Sequence, residues 1–294
     1  MCGIWYPEGL LALLAGRRPL VILAHGSELM LPCAFWRRGV WRELCKRVCE
    51  AADLIVANSE YTRGLVLRAA PRAKVVVVPL GVDHERFCPR DKETAKRRFG
   101  VDGKIVVSSV SRLQAYKGHE TVLRALAELP ERQKYCMVYL IAGKGPYSDD
   151  LRRLTKDLGL DELVRFLGFI PEDDLPDLYR ASDLFVLCTQ ESAVQQEVEG
   201  FGLVFLEAQA CGTPVVGTRT GGIPDAVKHG EGGWLIQQND VHALAGVLSR
   251  LTDDPGSFRA AGEAGRRRVE REATWGHYID LFVETIEGEG IRIA

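Results

Sequence analysis

Nine short apolar runs recur along this chain, and none of them alternates with polar residues. They are "PLVILAH" (19–25), "DLIVAN" (53–58), "VVVVP" (75–79), "KIVVSSV" (104–110), "CMVYLIAG" (136–143), "VRFLG" (164–168), "DLFVLCT" (183–189), "PVVGT" (214–218) and "GWLI" (233–236). A strand with one wet face alternates; a run apolar throughout is covered on both faces. Helical patterns such as "HETVLRALAEL" and "EDDLPDLYRAS" separate the runs. Buried strands alternating with helices predict an α/β fold, with doubly wound parallel sheets between helical layers. The stretch "PLGVDHERFCPRD" (79–91), with two prolines and a glycine, separates three runs from six. It predicts a partial unit over residues 1–82, incomplete at its N-terminus. A full Rossmann-like unit is expected over 83–274, with a last helical segment over 275–294.

The bulk numbers exclude more than they assign. A chain of 294 residues suffices for two domains, and 46% apolar with 27% charged residues is ordinary for a soluble protein. A net charge of -2 gives no global field for nucleic acid, so any anion site must be local. Eight cysteines show no CxxC and no zinc spacing, and Cys45 and Cys49 have no answering pair. They read as plain buried thiols of a reducing compartment, and no metal site is expected. "GLLALLAGRRPLVILA" is cut by Arg17, Arg18 and Pro19 into pieces too short to cross a bilayer. A cytoplasmic location is the expectation. One helix, "FWRRGVWRELCKRVCEAAD" (35–53), mixes Phe35, Trp36 and Trp41 with Arg37, Arg38, Arg42, Lys46 and Arg47. It reads as a solvated helix with one buried face, or as peripheral contact with an anionic inner membrane face through residues 35–49.

In doubly wound sheets ligands sit at the carboxyl ends of the strands. After the 104–110 run comes "SRLQAYKGHE", where Arg112 and Lys117 flank a loop and a helix start at Gly118. Two cations at a helix N-terminus suit a phosphate; two surface charges are the plainer alternative. After the next run, Gly143 and Gly145 either let backbone approach a ligand or form an ordinary turn. The third site is "EGFGLVFLEAQACG" (199–212). Gly200 and Gly202 free the backbone to aim N–H groups at an anion, and a helix is expected from Leu203. A helix of Leu, Phe, Ala and Cys has no packing need for a carboxylate, yet Glu207 lies one turn in. It can accept from a diol, while Glu199, across the turn, can reach a different ligand group; capping or salt bridging is the alternative for each. His25 ends the first run before Gly26 and is expected to face an interdomain cleft.

Together "SRLQAYKG", "AGKGP", "VRFLGFI" and "EGFGLVFLEAQACGTPVVGTRTGGIPD" resemble the GT-B retaining glycosyltransferases of family 4, whose E-x7-E motif is matched by Glu199 and Glu207. The resemblance runs from about Tyr6 to about Tyr278. It implies two Rossmann-like domains, the 79–91 stretch as their linker, and "TWGHYIDLFVETI" as a helix crossing back to the first. It implies that Arg112 and Lys117 neutralise the donor diphosphate, Glu207 holds the ribose and Glu199 the donor sugar. Backbone of Gly200, Phe201, Gly202 and Leu203 would contact sugar and phosphate, His25 the reacting centre, and Ile170 the base. No cofactor or metal is implied; the donor is a GDP- or UDP-linked sugar and the acceptor a glycan or lipid. The insert "QESAVQQEV" (190–198) is similar to a variable loop of subfamilies acting on phosphatidylinositol-like lipids. The family's first strands and Gly-rich loop are not found. A donor-binding module with impaired turnover is therefore the alternative to a transferase, and a nucleotide-sugar epimerase of the same architecture a further one. Self-association through an exposed edge of the first sheet is expected.

Overall fold

The computed structural model describes residues 1–30, 38–191 and 197–291. Each of the nine apolar runs holds a strand: β1 (Val21–Ala24), β2 (Leu54–Ala57), β3 (Val75–Val77), β4 (Ile105–Val110), β5 (Met137–Ala142), β6 (Val164–Gly168), β7 (Leu184–Leu187), β8 (Val215–Thr218) and β9 (Gly233–Ile236). All pair in parallel, in two sheets. The first has the order β1-β2-β3 and the second β6-β5-β4-β7-β8-β9. Helices cover both faces, which is why the strands are apolar on both. Tyr139 and Ile141 of β5 pack on one side with the helix His119–Ala127, while Val138 and Leu140 face the other side with Leu178. The fold is α/β with two Rossmann-like sheets, the arrangement called GT-B.

In the second sheet the chain runs outward from β4 to β6, then returns to start again at β7 on β4's other side. That reversal opens a crevice beyond the carboxyl ends of β4 and β7. At the opposite end of β7, Asp183 accepts from the N–H of Val106 and from Lys92 and Lys96, each at 2.8 Å. Those bonds tie β7 to β4 and to the helix Lys92–Phe99 that follows the linker.

The segment 79–91 lies in contact with the second unit. Arg266 Nη1 donates to the carbonyls of His84, Phe87 and Ala210 at 2.8, 2.9 and 2.8 Å. Val82 bridges Thr274, just before the helix Trp275–Gly288. Tyr278, Phe282 and Ile286 of that helix, spaced by four, pack on Val21, Leu54, Val56 and Val78 of the first unit.

Two surfaces concern the expected partners. The outer edge of β1 is paired at Cys2, whose N–H donates to Val21 O at 2.8 Å and whose carbonyl accepts from Leu23 N–H at 2.9 Å. That edge is therefore not bare at Cys2. Of the basic aromatic helix, residues 35–37 lie outside the described residues, as do 192–196 of the "QESAVQQEV" insert. Trp41 is turned inward, its ring 5.1 Å from Trp5 and 4.5 Å from Tyr6, so it is spent on packing. Among the described residues no helix is long and apolar enough to cross a membrane.

Candidate active site

A cleft of about 390 Å³ lies beyond the carboxyl ends of β4 and β7, closed on its far side by the end of β1. Its lining brings together His25, Arg112, Lys117, Glu199, Gly200, Phe201, Gly202 and Leu203. Every one of these residues was singled out on sequence grounds, though they come from three separate stretches.

Arg112 and Lys117 sit on the loop after β4, which ends in the helix His119–Ala127. Arg112 is exposed and has no carboxylate partner among the described residues. Lys117 is buried, its Nζ 4.9 Å from the centre of the Tyr116 ring and 2.7 Å from Glu199 Oε2. The lysine read as a phosphate ligand and the glutamate read as a sugar ligand are thus paired with each other. The pair is little exposed, 11% and 19% by side chain, so each charge depends on the other.

The helix Leu203–Ala210 begins where expected, with Gly202 before it in the left-handed region at φ 94°. It is apolar all round because it is buried all round: Phe205 packs edge-on against Phe185, and Phe185 against Tyr179. Its positive end faces the cleft. Glu207 does not line the cleft; Tyr179 OH donates to its Oε2 at 2.7 Å. Burial raises the Glu207 pKa, against the lowering effect of the Tyr179 hydrogen bond and the Arg86 charge. The carboxylate in that apolar helix therefore has a buried phenol as partner, one turn from the cleft.

Three other residues also stand apart. Ile170 packs with Leu167 and Leu175 beside Val110, and only Val110 reaches the cleft. Gly143 and Gly145 approach backbone closely: a Cβ on them would lie 1.8 Å from Ser111 O and 2.1 Å from Leu113 O. They let the loop after β5 buttress the loop that carries Arg112.

On the β1 side, His25 is exposed, and its N–H donates to Glu28 Oε1 at 2.7 Å. Its carbonyl accepts from Asn58 Nδ2 at 3.3 Å. The turn at Gly200 comes close to that carbonyl, and Ser59 Oγ donates to Gly200 O at 2.7 Å. The Gly200 turn is thus also where the two units meet. Sequence reasoning missed Ser27, Asn58, Leu80, Ser111 and Tyr116 in the lining. Asn58 and Ser111 each directly follow a strand, so reading every strand end would have found them. Among the described residues no group of three or more His, Cys, Asp or Glu side chains can hold a metal.

His119 lies beneath the Arg112 loop, fully buried; burial, then the Lys117 charge, push its pKa from 6.5 down to about 4. Below pH 6.5 the unfolded chain binds a proton that the folded chain refuses until about pH 4. Stability therefore falls with falling pH in that window, by roughly 2 kcal/mol between pH 6.5 and 5 from this group alone. Urea unfolding at several pH values should show a shallower slope in His119→Gln than in the wild type; equal slopes would contradict a buried neutral imidazole.

Two parallel sheets with a cleft between them, lined by cations and a helix N-terminus at the reversal of strand order, define a GT-B α/β protein built to hold an anionic ligand. The chain belongs to the glycosyl transferases group 1, the family that residues 91–268 match; residues 3–86 match glycosyltransferase family 4. It is 37% identical, over 264 residues, to a GDP-mannose-dependent alpha-(1-6)-phosphatidylinositol monomannoside mannosyltransferase of Mycolicibacterium smegmatis, covering 88% of this chain and 67% of that protein. It is also 37% identical to a D-inositol 3-phosphate glycosyltransferase of Corynebacterium jeikeium, covering 76% of this chain and 54% of that protein. In fold it matches Anabaena HepE, crystallised with UDP, at a TM-score of 0.82 and 24% identity, over 95% of this chain and 75% of that one.

Proposed function

We propose that this glycosyltransferase is retaining and metal-independent, and moves a hexose from a nucleoside-diphospho-sugar to an inositol-bearing acceptor. The observation that carries the reading is the Lys117–Glu199 pair beside Arg112, at the reversal of strand order and facing His25. Breaking the bond between the anomeric carbon and the diphosphate leaves negative charge on a phosphate oxygen. Arg112, Lys117 and the positive end of the helix Leu203–Ala210 can stabilise that charge in place. Glu199 reaches the sugar and holds Lys117, Glu207 with Tyr179 serves the ribose, and Ile170 borders the base. His25 meets the sugar from the other wall. Mannose on GDP and an inositol acceptor are supported by the relatives' names. A UDP-linked donor is the variant supported by the fold neighbour.

Calorimetry with GDP-mannose and UDP-glucose tests the donor. Arg112→Ala should weaken binding about ten- to a hundredfold, the roughly 1.5–3 kcal/mol of a charged hydrogen bond. Unchanged affinity would remove Arg112 from the diphosphate. Nucleoside diphosphate release with inositol phosphate or phosphatidylinositol mannoside tests transfer. Donor binding without release would favour a nucleotide-sugar-binding module instead.

A further inference from the structure

Behind the Arg112 loop runs a buried row of polar side chains that the proposed chemistry does not use. Ser111, in the cleft lining, has Oγ 2.8 Å from Nε2 of His119. Nδ1 of the same ring is 3.1 Å from the hydroxyl of Tyr139, which is 2.7 Å from Ser109 Oγ. Ser109 Oγ meets the carbonyl oxygen of Val186. His119, Tyr139 and Ser109 are all buried.

Each hydroxyl has one proton to give, and a carbonyl can only accept. Ser109 therefore donates to Val186. Its oxygen is left to accept from Tyr139, and Tyr139's oxygen to accept from Nδ1–H of His119. The buried imidazole is neutral, with a pKa near 4, and carries one N–H. Its Nε2 is then bare and accepts from Ser111. The reverse order sends Nε2–H to Ser111, and the Ser111 proton to the Arg112 carbonyl 2.9 Å away. It makes as many bonds, but leaves Tyr139 and Ser109 as two oxygens 2.7 Å apart with no proton between them. That gap lies in the interior, where no solvent fills it. In the first order the gap falls at the cleft, where water or ligand serves it.

We propose that this row fixes the Ser111 hydroxyl as a hydrogen-bond acceptor toward the cleft, so that Ser111 takes a hydroxyl of the donor's sugar and not a phosphate oxygen. His119 is its positioning residue. The ligand half of the proposal rests on the reading of the cleft as a nucleotide-sugar site. An ionised phosphate oxygen has no proton to offer an acceptor, whereas every sugar hydroxyl has one. The diphosphate is left to Arg112, Lys117 and the helix end.

Two measurements test it. In protein labelled with ¹⁵N-histidine, NMR should show His119 as the Nδ1–H tautomer, moving toward Nε2–H in Tyr139→Phe, which removes the acceptor of that proton. An Nε2–H tautomer in the wild type would overturn the direction of the row. By calorimetry, Ser111→Ala should weaken GDP-mannose about fivefold, the loss of one neutral hydrogen bond, and GDP by less than about twofold. Equal weakening of both, or of neither, would overturn the ligand assignment; UDP-glucose and UDP serve as a second pair. If the wild type binds none of these, the nucleotide-sugar reading fails and takes the ligand assignment with it, while the tautomer still decides the row's direction.

Discussion

Replacing Lys117 with alanine is expected to cost about 3 kcal/mol of stability, the low end for breaking a buried pair, because the cleft is open to water on one side. The cause is Glu199, which would lose the ammonium 2.7 Å away while remaining only 19% exposed. Donor turnover should fall by roughly two to three orders of magnitude, the size of effect seen when one charge-stabilising donor is removed. The two losses have different origins, and a second substitution separates them. Glu199→Gln in the Lys117→Ala background removes the stranded charge, so stability should return by about 2 kcal/mol while turnover does not. Urea unfolding and nucleotide release on the two single variants and the double variant make the comparison. Additive stability losses would show that the two side chains do not depend on each other.

Gly118→Ala is the second large effect. At φ 72°, with a Cβ placed 1.8 Å from the carbonyl oxygen of Cys188, the residue has no room for a side chain. The left-handed backbone costs about 1–2 kcal/mol in any other residue, and displacing the end of β7 roughly 1–3 kcal/mol more. A total of about 2–5 kcal/mol is expected. Gly103→Ala is the control: its φ is 68°, yet nothing lies within 4 Å of the added carbon. It should cost only about 1 kcal/mol. Similar losses in both variants, measured by chemical unfolding, would mean that the contact with β7 does not constrain the loop.

The strands were legible because burial on both faces writes a continuous apolar run, which short alternating segments do not mimic. The cleft residues of the β4 and β7 ends were legible because chemistry in such sheets follows strand ends. What stayed hidden depends on which strands are neighbours. Lys117 and Glu199 are 82 positions apart and meet only because β7 returns to β4 and not to β6. Tyr179 as the partner of Glu207 was invisible for the same reason: the helix Leu175–Ala181 reaches it across the core. The backbone that comes close to Gly143 and Gly145 is that of Ser111 and Leu113, which the two glycines themselves do not disclose. The glutamate of Glu28 carried no signal at all, since its partner is a main-chain N–H three residues away.

The packing of the helix Trp275–Gly288 on the first sheet has a consequence for biosynthesis. Strand β3 ends at Val77, and the apolar face that Tyr278, Phe282 and Ile286 cover is complete in sequence by Val78. About 200 residues must then be translated before the covering helix emerges, some 10–40 s at a ribosomal rate of roughly 5–20 residues per second. Through that interval the second sheet can close on itself, while the first displays an open hydrophobic surface beside the ribosome. The first sheet therefore stays uncovered until the helix Trp275–Gly288 has been made, and completion of its core waits on a segment about 200 residues downstream.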